Sequence, residues 1–142
     1  MDAFEKVNEL FSICSADTEL TQILITDDLT WLSQDEIMGL YDANIRRSFA
    51  DVTLIIPEEL PFMDMSLTEG NSATGNFLVN RAPVEINIYA TSFYQASLVY
   101  KCIKRLLKAN YEDAQIVYEG QRGTPMQGIY CYSMRIKQFV ES

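Results

Sequence analysis

The stretch PVEINIYATSFYQASLVYKCIKRLLKAN, residues 83–110, joins a short strand pattern to the longest uninterrupted helix pattern in the chain. Apolar residues alternate with others in its first part: Val84, Ile86, Ile88 and Ala90 against Glu85, Asn87 and Tyr89. A period of two is typical of a β-strand with one buried face. We therefore expect this strand, and the helix that follows it, to be the centre around which the chain packs.

A helix is predicted directly after that strand. Ser92, followed three residues later by Gln95, matches a capping box, in which the serine oxygen accepts a first-turn N–H and the glutamine reaches back. No glycine or proline interrupts the pattern as far as Ala109. One side of the predicted helix is apolar and comprises Ala96, Val99, Cys102, Ile103, Leu106 and Leu107.

Four basic residues lie on the opposite side of the predicted helix: Lys101, Lys104, Arg105 and Lys108. Their spacing of three and four residues forms one continuous stripe. A basic stripe of this kind is compatible with an ordinary solvated surface. It is also compatible with a docking surface for an acidic partner, and the sequence leaves both interpretations open.

Charge is distributed unevenly along the 142 residues, whose net charge is −9. Residues 1–81 carry 15 acidic and 4 basic side chains, a net charge of −11, whereas residues 82–142 carry 5 acidic and 7 basic side chains, a net charge of +2. Copies with one acidic and one mildly basic half can associate head to tail. The alternative is that the split has no functional meaning.

Length and composition predict one domain covering residues 1–142, without a membrane span or a signal peptide. Residues 1–50 are expected to be mainly helical and acidic on the outside, and residues 51–142 to form a sheet with a central helix at 92–109. The three cysteines, Cys14, Cys102 and Cys131, lie in apolar patterns and are expected to be buried rather than bridged.

The segment 57–80 is predicted to be a long loop or a projecting β-hairpin after a strand at 52–57. It contains two prolines at its start and a tip rich in glycine, serine and asparagine. Apolar residues flank that tip, and we expect four of them to contact a neighbouring subunit: Phe62, Met63, Met65 and Phe77. An ordinary loop without a partner is the alternative.

Two further strands, at 114–119 and 129–139, are predicted to form an antiparallel hairpin through a glycine-rich turn. The predicted fold is therefore α+β: an antiparallel or mixed β-sheet with helices packed on one face and a long projecting loop or hairpin.

Catalytic, cofactor-binding and metal-binding residues are not recognisable in the sequence. It contains no histidine, no phosphate-binding or dinucleotide-binding glycine motif, and no calcium-loop spacing. A pI near 4.4 also argues against tight binding to nucleic acid. We therefore expect a protein that is not an enzyme and that needs no cofactor.

The order of these elements resembles the tail terminator, or tail completion, family of head-to-tail joining proteins in tailed bacteriophages. The resemblance rests on the strand PVEINIYA, the polar break TSF, the helix YQASLVYKCIKRLLKA and the final hairpin ending YSMRIKQFV. It implies a structural virion protein, assembled in the host cytoplasm, that forms a homo-hexameric ring. Such a ring caps the tail tube protein and joins a neck or head-completion protein, and DNA passes through its lumen without specific binding.

Two alternatives to a tail terminator stay open at this point. One is another neck component, such as a head-completion adaptor or stopper. The other is a small cytosolic ligand-binding α+β domain, with an aromatic pocket near Tyr89, Tyr130 and Tyr132.

Overall fold

Strand β3 lies at the centre of the sheet, as its alternating sequence predicted. A computed structural model of the chain describes residues 3–26, 29–47, 55, 57–67, 84–111, 115–122 and 128–137. In these ranges there are five strands: β1 (Ile45–Arg46), β2 (Phe62–Leu67), β3 (Val84–Ala90), β4 (Gln115–Arg122) and β5 (Tyr130–Lys137). Their order across the sheet is β1-β2-β3-β5-β4, so that β1 and β4 lie at its two edges.

The sheet is mixed, and helices cover one of its faces, so the predicted α+β class is confirmed. β1 pairs in parallel with β2, while the pairs β2–β3, β3–β5 and β4–β5 are antiparallel. The helices are α1 (Ala3–Ala16), α2 (Thr18–Leu24), α3 (Gln34–Asn44) and α4 (Phe93–Asn110). α3 packs on β1 and β2, α4 packs on β3 and β5, and α1 contacts both β2 and α4. None of these described helices is both long and apolar enough to span a membrane.

Polar side chains fix where the helices begin. Ser33 and Glu36 form a complete capping box at the start of α3. At the start of α4, the Ser92 hydroxyl accepts a hydrogen bond from the backbone N–H of Gln95, at 3.2 Å. The Gln95 side chain differs from the prediction: its Oε1 accepts from the backbone N–H and the hydroxyl of Thr91, at 2.9 and 3.0 Å, one residue before the cap.

The main hydrophobic core lies between the helices and the sheet. The apolar face of α4 supplies the six residues predicted from its sequence, and all of them are buried. They pack with Val84, Ile86, Ile88 and Ala90 of β3 in one cluster that also includes residues of α1 and α2. Burial of one such aliphatic side chain stabilises the fold by roughly 1.5–3 kcal/mol. The three cysteines are buried as well, as predicted.

Strand β3 departs from the prediction of a single buried face. All seven of its residues are buried, including Glu85, Asn87 and Tyr89 on the side away from the helices. Tyr89 stacks on Phe62 of β2, with 4.8 Å between ring centroids, and both belong to a second, smaller apolar cluster with Ile55. Alternation therefore identified which residues share a face, but it did not show that both faces are covered.

For the first half of the segment 57–80 the loop alternative is wrong, because this half contains a strand antiparallel to β3, as in a hairpin, but the strand lies inside the sheet and does not project. Pro57–Glu59 forms a 3₁₀ turn, and Phe62–Leu67 is the inner strand β2 of the sheet. Residues 68–80, including the predicted tip, lie outside the described residues. Of the strand predicted at 52–57, Ile55 is buried but is not part of a strand, and most of the rest also lies outside the described residues.

The final hairpin is confirmed, with a change in its first boundary. β4 continues to Arg122, so Gly120, which we assigned to the turn, lies inside the strand. The register between β4 and β5 shifts between Ile116 and Tyr118, which marks a bulge. Gly128 has a φ of 84°, a left-handed conformation that glycine adopts without a steric cost.

Candidate functional site

The four basic residues predicted on α4 are all exposed, because the opposite side of the amphipathic helix is turned to the core. The structure nevertheless separates them into two groups. Arg105 and Lys104 interact with side chains of the same chain, whereas Lys101 and Lys108 make no ion pair in the described part of the chain. The positive charge of the stripe is therefore more available to a partner at Lys101 and Lys108 than at Lys104 and Arg105.

Arg105 joins α4 to the beginning of α2. Its Nη2 lies 2.8 Å from Oδ2 of Asp17 and 3.5 Å from Oε2 of Glu19. The same Asp17 oxygen accepts a hydrogen bond from the backbone N–H of Leu20 at 3.0 Å. This carboxylate therefore caps α2 and also binds the Arg105 guanidinium. The hydrogen bond to Asp17 raises the pKa of Arg105. Arg105 thus contributes to the fold, and the interface prediction for the stripe applies best to the three lysines.

Lys104 lies over an aromatic side chain of its own helix. Its Nζ is 5.5 Å from the centroid of the Tyr100 ring, and the Tyr100 hydroxyl donates to Oε2 of Glu119 on β4 at 2.7 Å. Burial, followed by this hydrogen bond, raises the pKa of Tyr100, and the interaction with Tyr100 raises the pKa of Lys104. Lys104 is charged and exposed, but its position is set from within the chain.

Two exposed aromatic residues precede the lysines on α4. Phe93 and Tyr94 are 67% and 70% exposed, which is unusual for side chains of this size. Tyr94, Lys101 and Lys108 are seven residues apart, two helical turns, and so lie on one side of α4. We call the exposed residues Phe93, Tyr94, Lys101, Lys104 and Lys108 the α4 surface. The lysines of this surface were predicted from the sequence, whereas its aromatic residues were not, although the same helical spacing indicates them.

An acidic counterpart lies on and just before α3. Trp31 is 87% exposed and Met38 is 42% exposed, and the acidic residues Asp35 and Asp42 are exposed beside them. Asp35, Met38 and Asp42 follow a spacing of three and four residues, which places them along one side of the helix. Trp31 precedes the helix, two residues before its N-cap Ser33. We call Trp31, Asp35, Met38 and Asp42 the α3 surface. The acidic outside of this region was predicted from the sequence, and the exposure of Trp31 and Met38 was not.

Asp42 is already paired at one end of the α3 surface. Nη2 of Arg47 lies 3.2 Å from Oδ1 of Asp42, and the Arg47 guanidinium lies 4.3 Å from the centroid of the Phe11 ring. Asp35, by contrast, makes no ion pair with a described residue. No residue of α3 is fully buried. Most of the outer side of this helix is therefore in solvent.

The remaining predicted interface residues are not at the surface. Phe62, Met63 and Met65 are completely buried, Phe62 in the second apolar cluster and both methionines in the main core. They are strand residues whose side chains pack inside the chain, which corrects the prediction that they project toward a neighbour. Phe77 lies outside the described residues.

A row of five polar side chains crosses the sheet on the face away from the helices, and four of them are buried while Arg135 is half exposed. Asp64 on β2 lies opposite Asn87 on β3, which lies opposite Ser133 on β5. Nδ2 of Asn87 donates to Oδ1 of Asp64 at 2.9 Å and to Oε2 of Glu85 at 3.3 Å, and the Ser133 hydroxyl donates to Oδ1 of Asn87. Nε of Arg135 donates to Oε1 of Glu85 at 3.0 Å. We call these five residues the polar row.

One hydroxyl near the polar row is not satisfied. Ser66, which pairs in register with Glu85, has a buried Oγ without a hydrogen-bond partner among the residues that the structure describes. The donors and acceptors of the row otherwise match one another, as buried polar groups must. No group of three or more potential metal-binding side chains occurs in the described ranges. The polar row is a hydrogen-bonded network that joins three strands of the sheet.

The aromatic pocket considered for a small ligand does not form as expected. Tyr89 pairs in register with Cys131 and faces away from the helices, whereas Tyr130 and Tyr132 pair with Ala90 and Ile88 and face toward them. Tyr130 packs edge-on against Phe93, with 5.8 Å between ring centroids. The three tyrosines therefore lie on opposite sides of the sheet.

Comparisons with known proteins add no family assignment. No protein-family model matches the sequence, and a search of curated proteins finds no significant match.

Proposed function

We propose that this chain is a structural virion protein of a tailed bacteriophage, a ring-forming tail terminator that caps the tail tube and joins the tail to the head or neck. The observation that carries the proposal is the α4 surface, where lysines and large exposed aromatic residues lie together in a chain with a net charge of −9. Aromatic residues are enriched where proteins bind one another. A local cationic patch on an acidic chain adds electrostatic complementarity to a second copy of that chain.

The fold supports the same function. The element order on which the resemblance to tail terminators rests, a strand followed by a long helix and a closing hairpin, corresponds to β3, α4, β4 and β5. A closed ring needs two different patches on each copy, one for each neighbour. The net acidity also suits a channel for DNA, because a protein holds DNA mainly through cationic contacts to its phosphates.

The partners that follow are the chain itself as a homo-hexamer, the tail tube protein at one side of the ring and a neck or head-completion protein at the other. In this proposal the protein has no catalytic activity and no cofactor. It acts in the virion, after assembly in the host cytoplasm.

Light scattering coupled to size exclusion, together with negative-stain electron microscopy, tests the proposal. We expect hexameric rings with a central opening, formed by the chain alone or on the ends of purified tail tubes. A chain that forms no ring in either condition, and that does not bind tube ends, contradicts the proposed function.

Another neck component, an adaptor or stopper, is separated from a terminator by its partner. A terminator is retained by tail-tube ends, whereas an adaptor or stopper is retained by portal rings, so a parallel binding assay with both distinguishes them. The ligand-binding alternative has lost the observation that favoured it, because Tyr89 lies on the opposite face from Tyr130 and Tyr132. A thermal-shift screen with metabolites checks it directly.

A further inference from the structure

The α3 surface and the α4 surface lie at different ends of the helical layer. α3 packs over β1 and β2, at one edge of the sheet, and α4 packs over β3 and β5. α1 lies beside β2 and contacts α4. One copy of the chain therefore presents both surfaces to solvent at separate places.

The two surfaces are opposite in charge, and the two charges on each have the same spacing. The α3 surface has Trp31 at its start and then Asp35 and Asp42, and the α4 surface has Tyr94 at its start and then Lys101 and Lys108. In each case the two charges are seven residues apart, which is about 10 Å along a helix at about 1.5 Å per residue. When the helices lie side by side, Asp35 can pair with a lysine directly, and Asp42 can form a second pair by exchanging Arg47 for a lysine.

Neither surface suits a copy of itself. Two α4 surfaces bring lysines together and two α3 surfaces bring carboxylates together, and like charges across an interface disfavour such pairing. The exposed aromatic and methionine side chains supply apolar area that each surface leaves in water when the chain is alone. Each surface therefore finds opposite charges and matching apolar area on the other surface of a second copy.

We infer that the α3 surface of one copy binds the α4 surface of the next copy, and that this contact is the head-to-tail interface of the assembly. The inference rests on the proposed function, because a ring needs a head-to-tail interface, and it goes further by stating which two surfaces form that interface. Because the lysine–carboxylate pairs are at a surface, the contact weakens as salt is added.

Paired cysteines test which surfaces meet. The chain with Asp35→Cys and Lys101→Cys should form a ladder of disulfide-linked species on mild oxidation, since each copy then links to a neighbour on both sides. Each single variant should form dimers at most. The three native cysteines are buried and should not contribute to the ladder. A matched control places one cysteine elsewhere, in Glu58→Cys with Lys101→Cys, because Glu58 is exposed on the 3₁₀ turn and outside both surfaces.

Charge reversal provides a second, independent test by sedimentation equilibrium. We expect Asp35→Lys and Lys101→Glu each to weaken self-association at least tenfold, and the double variant to recover most of it. Glu58→Lys makes the same charge change as Asp35→Lys and should weaken association less than threefold. Circular dichroism confirms that the variants are folded.

The outcomes separate this inference from the proposed function. The inference is overturned if neither charge reversal weakens self-association, or if the Glu58 control forms as strong a disulfide ladder as the Asp35 variant. Either result leaves the ring proposal in place. A reciprocal dimer that depends on both charges overturns the head-to-tail interface and contradicts a ring, although the two surfaces then pair with each other. A chain that stays monomeric at high concentration and gives no ladder overturns the inference, and binding to tube ends then decides the function by itself.

Discussion

On strand β3, the side chains that face the helices and those that face away are equally buried but chemically unlike. Ile86 and Ile88 pack in the apolar core beneath α1 and α4. Asn87, between them in sequence, lies on the other face and bonds to two carboxylates and a serine. Ile88 is stabilised by packing and by exclusion of water, and such a site tolerates another apolar side chain of the same volume. Asn87 is stabilised by specific donors and acceptors, and such a site does not tolerate a side chain that lacks them.

The difference teaches that alternation along a strand reports polarity and not exposure. A polar residue on a covered face stabilises the fold only while its partners are present, because an unpaired buried polar group costs free energy. The two faces should therefore respond differently to the same kind of substitution, and the expected effects below run from the largest to the smallest.

Substitution of Asn87 by alanine should cost the most. It removes the donor to Asp64 and Glu85 and the acceptor for Ser133, and it leaves two buried carboxylates short of a hydrogen bond. Breaking a buried polar network of this kind costs roughly 3–5 kcal/mol. The measurement is the free energy of unfolding in urea. A loss below about 1 kcal/mol would mean that the polar row contributes little to stability.

Ile88→Ala, one residue away on the apolar face, should cost about 3 kcal/mol through lost burial and the cavity that remains. The volume-conserving substitutions make the comparison sharper. Ile88→Leu should cost less than about 1.5 kcal/mol, whereas Asn87→Leu should be nearly as destabilising as Asn87→Ala, because the carboxylates still lose their donor. Equal effects of the two leucine substitutions would contradict the distinction between the faces.

The helix-facing half of this architecture could be predicted from the sequence, and much of the other half could not. Repeating periods identified β3, the buried side of α4 and the final hairpin, because local spacing fixes which residues share a face. Phe62, Met63 and Met65 were misplaced because a short apolar run after two prolines fits a strand or a loop, and only pairing with β3 decides between them. The same non-local pairing assembles the polar row from three separate strands.

For the candidate site, the helical spacing predicted the lysines of α4 but not their partners. The bond between Arg105 and Asp17 joins residues 88 positions apart, and no local pattern carries that information. The exposure of Trp31 and Met38 was equally hidden, since sequence hydrophobicity favours burial for both and packing leaves them outside.

A titratable group on the helix-covered side should make stability depend on alkaline pH. Burial, with a smaller contribution from Asp17, raises the pKa of the Cys14 thiol from its ordinary value of 9.0 to about 12. A raised folded-state pKa gives stability that is complete below pH 9 and is lost as the pH rises toward 12. Between pH 8 and pH 10.5 the wild type should lose about 2 kcal/mol through this group.

The variant Cys14→Ala isolates that contribution. It should be less stable than the wild type at pH 8, because a buried sulfur is removed. As the pH rises to 10.5 the difference should shrink by about 2 kcal/mol, since the variant has no thiol to ionise. Groups that do not interact with Cys14 are present in both proteins and cancel in the difference, whereas the coupling of Cys14 to Tyr111 and Cys102 is a smaller part of the same effect. Parallel urea unfolding curves at the two pH values provide the measurement, and a difference that stays constant would contradict a raised pKa for Cys14.

The smallest effect, and the clearest in sign, concerns two serines on the polar face. Ser66→Ala removes a buried hydroxyl for which no partner is found in the described part of the chain, so stability should be unchanged or higher by up to about 1 kcal/mol. Ser133→Ala makes the same change on the same face, but that hydroxyl donates to Asn87, and its loss should cost about 1–2 kcal/mol. Chemical denaturation of both variants measures the contrast. If both substitutions destabilise equally, Ser66 has a partner in solution, and the polar face is more completely bonded than its described residues indicate.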